Sequence, residues 1–344
     1  MKLAPWAADA GRDRKAEHIR LALEGRMQGT GGAFDRYRFE HQALPELDFD
    51  EIDLSTSFLG KPLAAPLLIS CMTGGTEIAA RINRHLALGA ERVGLALGVG
   101  SQRKALEDRT KADTFRVRDA APSVPLLANL GAVQLNYGVG AAECEAAVAM
   151  IGADALAFHL NPLQEAIQPE GQRDFRGLVA KLGEVARGLS VPAIAKEIGS
   201  GLSARAARAL HDEGFRIFDT AGSGGTSWAR IEGERAGDPD LGEVFADWGI
   251  PTPESIRALA ELPGITLIGS GGVRNGVDAA KAIALGADLV GLAYPFLEAA
   301  SESAERVVER AERIVRELKI AMFCLGAKDL AALKAATLHG RADL

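Results

Sequence analysis

Eight short apolar runs, each closed by Gly, Pro or a polar residue, set the tightest limit on how this chain can fold. They are PLLIS (66–70), VGLAL (93–97), PLLANL (125–130), ALAFHL (155–160), VPAIAK (191–196), RIFDT (216–220), ITLIG (265–269) and DLVGLA (288–293). Each is too short for a helix and lacks apolar–polar alternation, which is how a strand buried on both faces reads. Helical patterns such as EIAARINRHLALGAERV, SARAARALHDEG, PESIRALAEL and GVDAAKAIALGA lie between them. Eight strand–helix units with a helix in every gap predict an α/β fold, a parallel (β/α)8 TIM barrel. An open doubly wound sheet is the alternative, and the number of units favours closure.

The barrel is expected over 66–300, within a single domain spanning 1–344. Residues 1–65 form an N-terminal extension with its own helix, RKAEHIRLALEG, and residues 301–344 carry two C-terminal helices, near 302–320 and 327–338. Two connections exceed what a barrel needs, 161–176 after the fourth run and 226–252 after the sixth. Both follow strands, so both fall on the face where barrel enzymes build their sites, and loops of this length are often lids.

Composition narrows the function. Of the 344 residues 47% are apolar, enough for a full core, and the net charge of −7 argues against a general nucleic-acid surface. Local cations can still hold an anionic ligand, because distant charge is screened within about 8 Å. Cys71, Cys144 and Cys324 are an odd, scattered set without a CxxC pair, which points to a reducing cytoplasm and to neither a disulfide framework nor a zinc site. The start, MKLAPWAADAGRDRK, has no apolar h-region, so no signal peptide is expected. The longest uncharged stretch, Ala120 to Ala142, carries too many prolines and amides for a membrane helix.

Polar residues recur where each run ends: MTGG (72–75), GVGSQR (98–103), ANLG (128–131), HLNPLQE (159–165), KE (196–197), AGSGGT (221–226), SGGVRNG (270–276) and AYPF (293–296). SGGVRNG opens a helix after the seventh run, the usual place for a phosphate in a barrel; GSGGT is a weaker signal of the same kind, or a flexible loop entry. Lys196 ends an apolar strand, where a charge must be satisfied; it either pairs with neighbouring Glu197 or stabilises an anionic ring such as a reduced flavin. Asn129 and Ser101 are ring partners or ordinary strand-end caps. HLNPLQE places His159, Asn161, Gln164 and Glu165 within seven residues. Glu165 beside those amides either holds Mg2+, which often takes one or two protein carboxylates, or faces solvent. Arg14, Lys15 and His18 form a cationic face on the N-terminal helix, which by itself reads equally as amphipathic surface. Arg103 and Lys104 add charge near the mouth, and Trp228 and Glu232 lie in the long connection after the sixth run.

Taken together, RKAEH, MTGG, GSQR, ANLG, HLNPLQE, KE, GGTSWA and SGGVRNG resemble the type 2 isopentenyl-diphosphate isomerases, in order and over nearly the whole chain. The resemblance implies a cytoplasmic, typically tetrameric homo-oligomer that uses FMN and Mg2+, with NADPH or another reductant reducing the flavin. By matching position, FMN would meet Met72, Thr73, Gly74, Ser101, Asn129, Lys196, Thr226, Gly272, Arg274 and Ala293. The diphosphate substrate would meet Arg14, Lys15, His18, Ser101, Arg103, His159, Asn161 and Gln164, with Gln164 a candidate for proton transfer. Glu165 matches the metal ligand, and Glu232 an acidic residue near it. Ala221 departs from the pattern, since the family often has Ser there, so one hydrogen bond to the flavin would be missing. The reaction implied is a 1,3-allylic proton shift. The competing readings are an oxidoreductase of the 2-hydroxy-acid oxidase or IMP-dehydrogenase kind and a non-catalytic flavin- or phosphate-binding sensor. For the oxidoreductases, the seventh run offers Arg274 but no nearby His, and no Cys lies in a suitable loop.

Overall fold

A computed structural model describes residues 14–29 and 32–340. Its centre is a closed ring of eight parallel strands: β1 (Leu67–Ile69), β2 (Ala96–Gly98), β3 (Leu126–Gly131), β4 (Ala155–Leu160), β5 (Ala193–Glu197), β6 (Ile217–Asp219), β7 (Thr266–Ser270) and β8 (Leu289–Leu292). The ring shuts where β8 pairs with β1, Val290 opposite Leu67, which settles closure over an open sheet.

Helices fill the gaps: α1 (Arg14–Leu23) in the extension, α2 (Glu77–Val93), α3 (Arg103–Glu107), α4 (Ala141–Ile151), α5 (Pro162–Ile167), α6 (Leu178–Gly188) and α7 (Ala204–Asp212). The connection after β6 carries α8 (Trp228–Ala236) and α9 (Pro239–Val244) before α10 (Thr252–Ala260), and α11 (Gly276–Ala284) follows β7. After β8 come α12 (Tyr294–Glu302), α13 (Ala304–Phe323) and α14 (Leu330–Lys334). No described helix is long and apolar enough to cross a membrane.

The period-2 geometry of a strand explains how this ring makes both a core and a site. Leu68, Ala96, Leu127, Ala155, Ala157, Ile194, Ile217, Ile268 and Leu289 form one cluster inside the barrel, and a hairpin (Thr56–Phe58 with Lys61–Leu63) packs Phe58 and Leu63 against it. Two residues further along each strand the same face carries Ser70, Gly98, Asn129, His159, Lys196, Asp219, Ser270 and Gly291. Apolar residues fill one end of the interior; six polar side chains and two glycines fill the other. A larger cluster, including Leu67, Ile69, Leu97, Leu126 and Phe158, packs the outer strand faces against the helices.

Three boundaries differ from those read in the sequence. The second run was expected to be strand from Val93, but α2 continues through Val93 and Gly94 closes it with φ 77°, so β2 starts at Ala96. An αL residue without a Cβ ends a helix readily, and that outweighs the apolar character of Val93. At the C-terminus α13 begins at Ala304, after the separate α12, and runs on to Phe323. The last expected helix shrinks to α14, because Leu338–Gly340 instead pairs antiparallel with Tyr37–Phe39 of the extension.

Candidate active site

All eight strand ends open into one cavity of about 1520 Å³ of empty space, counted out to its mouth. Its lining includes nearly every residue expected at the site: Arg14, Lys15, His18, Met72, Thr73, Ser101, Arg103, Asn129, His159, Asn161, Gln164, Glu165, Lys196, Thr226, Gly272, Arg274 and Ala293. Gly74 does not line it. A Cβ there would lie 1.8 Å from the Phe115 ring, so this glycine serves the packing of the β1 loop.

On one side the loops after β6 and β7 meet backbone to backbone. A Cβ on Gly225 would come within 2.7 Å of the Gly272 nitrogen, and one on Gly272 within 2.6 Å of the Gly224 oxygen. Gly272 also has φ 70°. Only residues without side chains allow this approach, and it leaves bare peptide groups beside the start of α11, a ready anion cradle. Arg274 stands over the Tyr294 ring at 5.1 Å and donates to the Gln28 amide oxygen. Gln28 in turn bonds Thr226 at 3.0 Å, so a residue of the extension ties two expected cofactor contacts together. The sequence reading missed Gln28, which sits in a polar Gly-rich turn without any strand-end signal. Burial lowers the Arg274 pKa, against an opposing pull from Tyr294 and Asp278. Nearby, the buried hydroxyls of Ser70 and Thr73 find no hydrogen-bond partner among the described residues. Unpaired buried donors, a glycine cradle and a buried ammonium fit a flavin phosphate and ring.

That ammonium is Lys196, whose Nζ lies 3.1 Å from the Asp219 carboxylate; both side chains are more than nine-tenths buried. Glu197, the neighbour expected to pair with it, points the other way. Its carboxylate accepts backbone N–H groups of Ile198, Gly199, Ser200 and Gly201, at 2.5–3.2 Å, and pins the loop after β5.

Over the mouth lies α1, supplying Arg14, Lys15 and His18, while Arg103 rises from α3 opposite. The crowd is strongly cationic. Burial and then the fields of Arg14, Lys104 and Arg103 pull the Lys15 pKa down to about 7, against an opposing pull from Glu232. Burial and the fields of Lys15, Lys196, Arg103 and Arg14 push His159 down to about 3, so its ring is neutral. Its Nδ1 lies 2.8 Å from the Asn129 Oδ1, so Nδ1–H donates and Nε2 remains an acceptor. Arg14 reaches Glu170 at 3.4 Å and Arg103 reaches Glu107 at 3.6 Å, but Arg14, Lys15 and Arg103 still converge on one cavity wall, an arrangement suited to a multiply charged anion.

α5 and α8 meet below this cluster. Asn161 donates one N–H to Gln164 at 3.0 Å and another to Glu165 at 2.9 Å. Gln164 donates on to Glu232 at 2.8 Å, His18 approaches the same carboxylate oxygen at 3.0 Å, and Arg235 donates to the other. Burial would raise the Glu232 pKa, but the His18 and Gln164 hydrogen bonds and the Arg235 charge outweigh it and hold it at about 2. Glu165 is buried too, its carboxylate accepting from Gln168 and from the Gln172 backbone at 2.6 Å each, so it does not face solvent. The Asn161 oxygen beside it has no hydrogen-bond partner among the described residues. Among the described residues no three His, Cys, Asp or Glu side chains converge as a metal cage. One carboxylate and one free amide oxygen suit an ion that keeps water and a ligand phosphate in its shell. Trp228 closes the side of the cavity with its ring edge-on to His18, centroids 5.2 Å apart.

Comparison with known proteins agrees with this geometry. Residues 24–121 and 250–340 match the FMN-dependent dehydrogenase family model. An isopentenyl-diphosphate delta-isomerase of Synechococcus sp. is 54% identical over 338 residues, covering 96% of this chain and 97% of that protein. The chain belongs to the isopentenyl-diphosphate delta-isomerase family. Isomerases of Nostoc sp. and Oceanobacillus iheyensis are 52% and 46% identical, over 96% and 93% of this chain and 97% and 94% of theirs. Solved structures show the same barrel at lower identity. A flavocytochrome b2 with pyruvate bound superposes with TM-score 0.67 at 19% identity, covering 94% of this chain and 82% of that one. A lactate oxidase from Pediococcus acidilactici gives TM-score 0.64 at 18%, covering 90% and 84%. Within this isomerase-family chain, Ala221 lines the cavity with φ 35°, so the methyl stands where the resemblance expects a hydroxyl.

Proposed function

We propose that this enzyme interconverts isopentenyl diphosphate and dimethylallyl diphosphate by a 1,3-allylic proton shift, on reduced FMN and with Mg2+ at the diphosphate. The observation that carries the reading is the cation cluster of Arg14, Lys15 and Arg103 lining the same cavity as the Gly225–Gly272 cradle and Lys196.

In this reading the chain's residues bind, orient and exclude water. Arg14, Lys15 and Arg103 hold the diphosphate, and the binding energy of that remote group orients a short hydrocarbon tail with no handle of its own. His18 faces Glu232, which keeps α1 seated over the cavity. His159, neutral and fixed by Asn129, offers its Nε2 to a protonated or metal-bound oxygen. Glu165 with the Asn161 oxygen would hold the metal. Glu232, ionised at any working pH, is no proton donor; it fixes the Gln164 amide, which stays oriented into the cavity. Lys196, Thr226, Gly272 and Arg274 would hold FMN, which when bound and reduced supplies an electron-rich face for a carbocation-like transition state and a proton-exchanging ring nitrogen. NADPH is the expected reductant, a homo-oligomer the expected assembly and the cytoplasm the expected compartment. Turnover of isopentenyl diphosphate with FMN, Mg2+ and a reductant tests the reading. A flavin-loaded, reduced protein that leaves isopentenyl diphosphate unchanged, or oxidises a 2-hydroxy acid or IMP instead, overturns it.

A further inference from the structure

We infer that Asp219 is a positioning residue that holds the Lys196 ammonium in place against the bound flavin and so sets how strongly the site favours the reduced ring over the oxidised one. The inference rests on the reading of the cavity as an FMN site and goes beyond it, because Asp219 itself does not line the cavity.

Lys196 and Asp219 are register partners on adjacent strands β5 and β6, and their side chains share the inner face. One carboxylate oxygen takes the ammonium at 3.1 Å. The other accepts the Ser270 hydroxyl from β7 and the Ala221 backbone N–H at 3.3 Å. The carboxylate is therefore fixed from both neighbouring strands and from the loop after its own, and it fixes in turn the end of a flexible four-carbon chain. With both side chains buried, the pair is shielded from water and from salt. An amide in place of the carboxylate leaves the shape and removes the counter-charge. A buried ammonium without that charge is no longer held in place, and its displacement withdraws positive charge from a reduced, anionic ring.

The test compares four proteins loaded with FMN: the wild type, Asp219→Asn, Lys196→Met and the double variant. The readouts are the dissociation constant for oxidised FMN and the two-electron midpoint potential by dye equilibration. Asp219→Asn is expected to weaken reduced relative to oxidised FMN about tenfold, a potential about 30 mV more negative. In the Lys196→Met background the same substitution is expected to leave the potential where Lys196→Met put it, since the two act through one ammonium. An unchanged or more positive potential in Asp219→Asn, or an equal shift in both backgrounds, overturns the inference. If Asp219→Asn does not fold, Ser270→Ala loosens the same carboxylate from its other side, and a negative shift supports the inference while no shift overturns it. A wild type that does not bind FMN overturns both this inference and the reading beneath it; binding with an additive cycle overturns this inference alone.

Discussion

The Gln164 amide donates to Glu232 across 2.8 Å, and this contact joins the loop after β4 to the helix that covers the cavity after β6. Two long connections, far apart in sequence, meet here at a carboxylate that is completely buried, and Arg235 joins them a second time by donating to Glu170 at 3.0 Å. Three other groups of the site depend on where Glu232 sits: His18 of α1, Arg235 of α8 and, through Gln164, Asn161.

Glu232→Gln removes the charge that Arg235 and His18 face. A buried pair broken from one side is costly, and the variant is expected to lose about 2–4 kcal/mol of unfolding free energy in urea titrations at pH 7. The pH dependence follows in sign. Glu232 has a folded pKa of about 2, below its unfolded value, so its stabilisation is full above the ordinary glutamate range and fades as pH falls toward 2. The stability gap between wild type and variant therefore closes between about pH 4.5 and 2. A gap that is absent at pH 7, or independent of pH, contradicts the assignment.

Lys15 makes anion binding pH-dependent. Its pKa of about 7 in the free protein rises when a diphosphate neutralises the surrounding cations, so above pH 7 binding takes up a proton. The affinity for inorganic diphosphate, measured by calorimetry, is expected to fall with rising pH by up to about tenfold per unit relative to Lys15→Met. Referring the slope to the variant cancels the ligand's own titration. Parallel slopes for the two proteins would remove Lys15 from this role.

Glu165→Gln keeps the hydrogen-bond geometry with Asn161 and takes away the charge a divalent ion needs. The Mg2+ concentration for half-maximal turnover is expected to rise about 10–100-fold, in line with losses seen when a metal's protein shell is altered. An unchanged Mg2+ requirement sinks the metal assignment and leaves Glu165 as a brace for the Gln168–Gln172 turn.

Ala221→Ser restores a hydroxyl to the cavity wall. Serine meets the same backbone constraint at φ 35°, so the strain is unchanged and only the hydrogen bond is added. FMN is expected to bind about 3–10-fold tighter, a gain of about 0.5–1.5 kcal/mol. Equal affinities would show that this part of the wall does not face the flavin.

The barrel and the neighbourhood of the site were legible in the order of the residues. Eight unalternated apolar runs have few ways to bury both faces other than a parallel ring, and a polar residue two places after the last inward apolar one must share its face, as His159 follows Ala157 and Lys196 follows Ile194. Which groups pair was settled by the folded chain. Glu197 is next to Lys196 in the chain, and for that reason lies on the opposite side of the strand. Asp219, twenty-three residues on, is its register partner and its counter-ion. Gly74 ended against Phe115, Gln28 came from the extension to bridge Thr226 and Arg274, and Arg235 came to Glu232 from one turn along α8. Periodicity fixes the side of an element on which a residue lies, because that is local geometry. Partners are chosen by closure of the ring and the docking of loops, which no local pattern encodes.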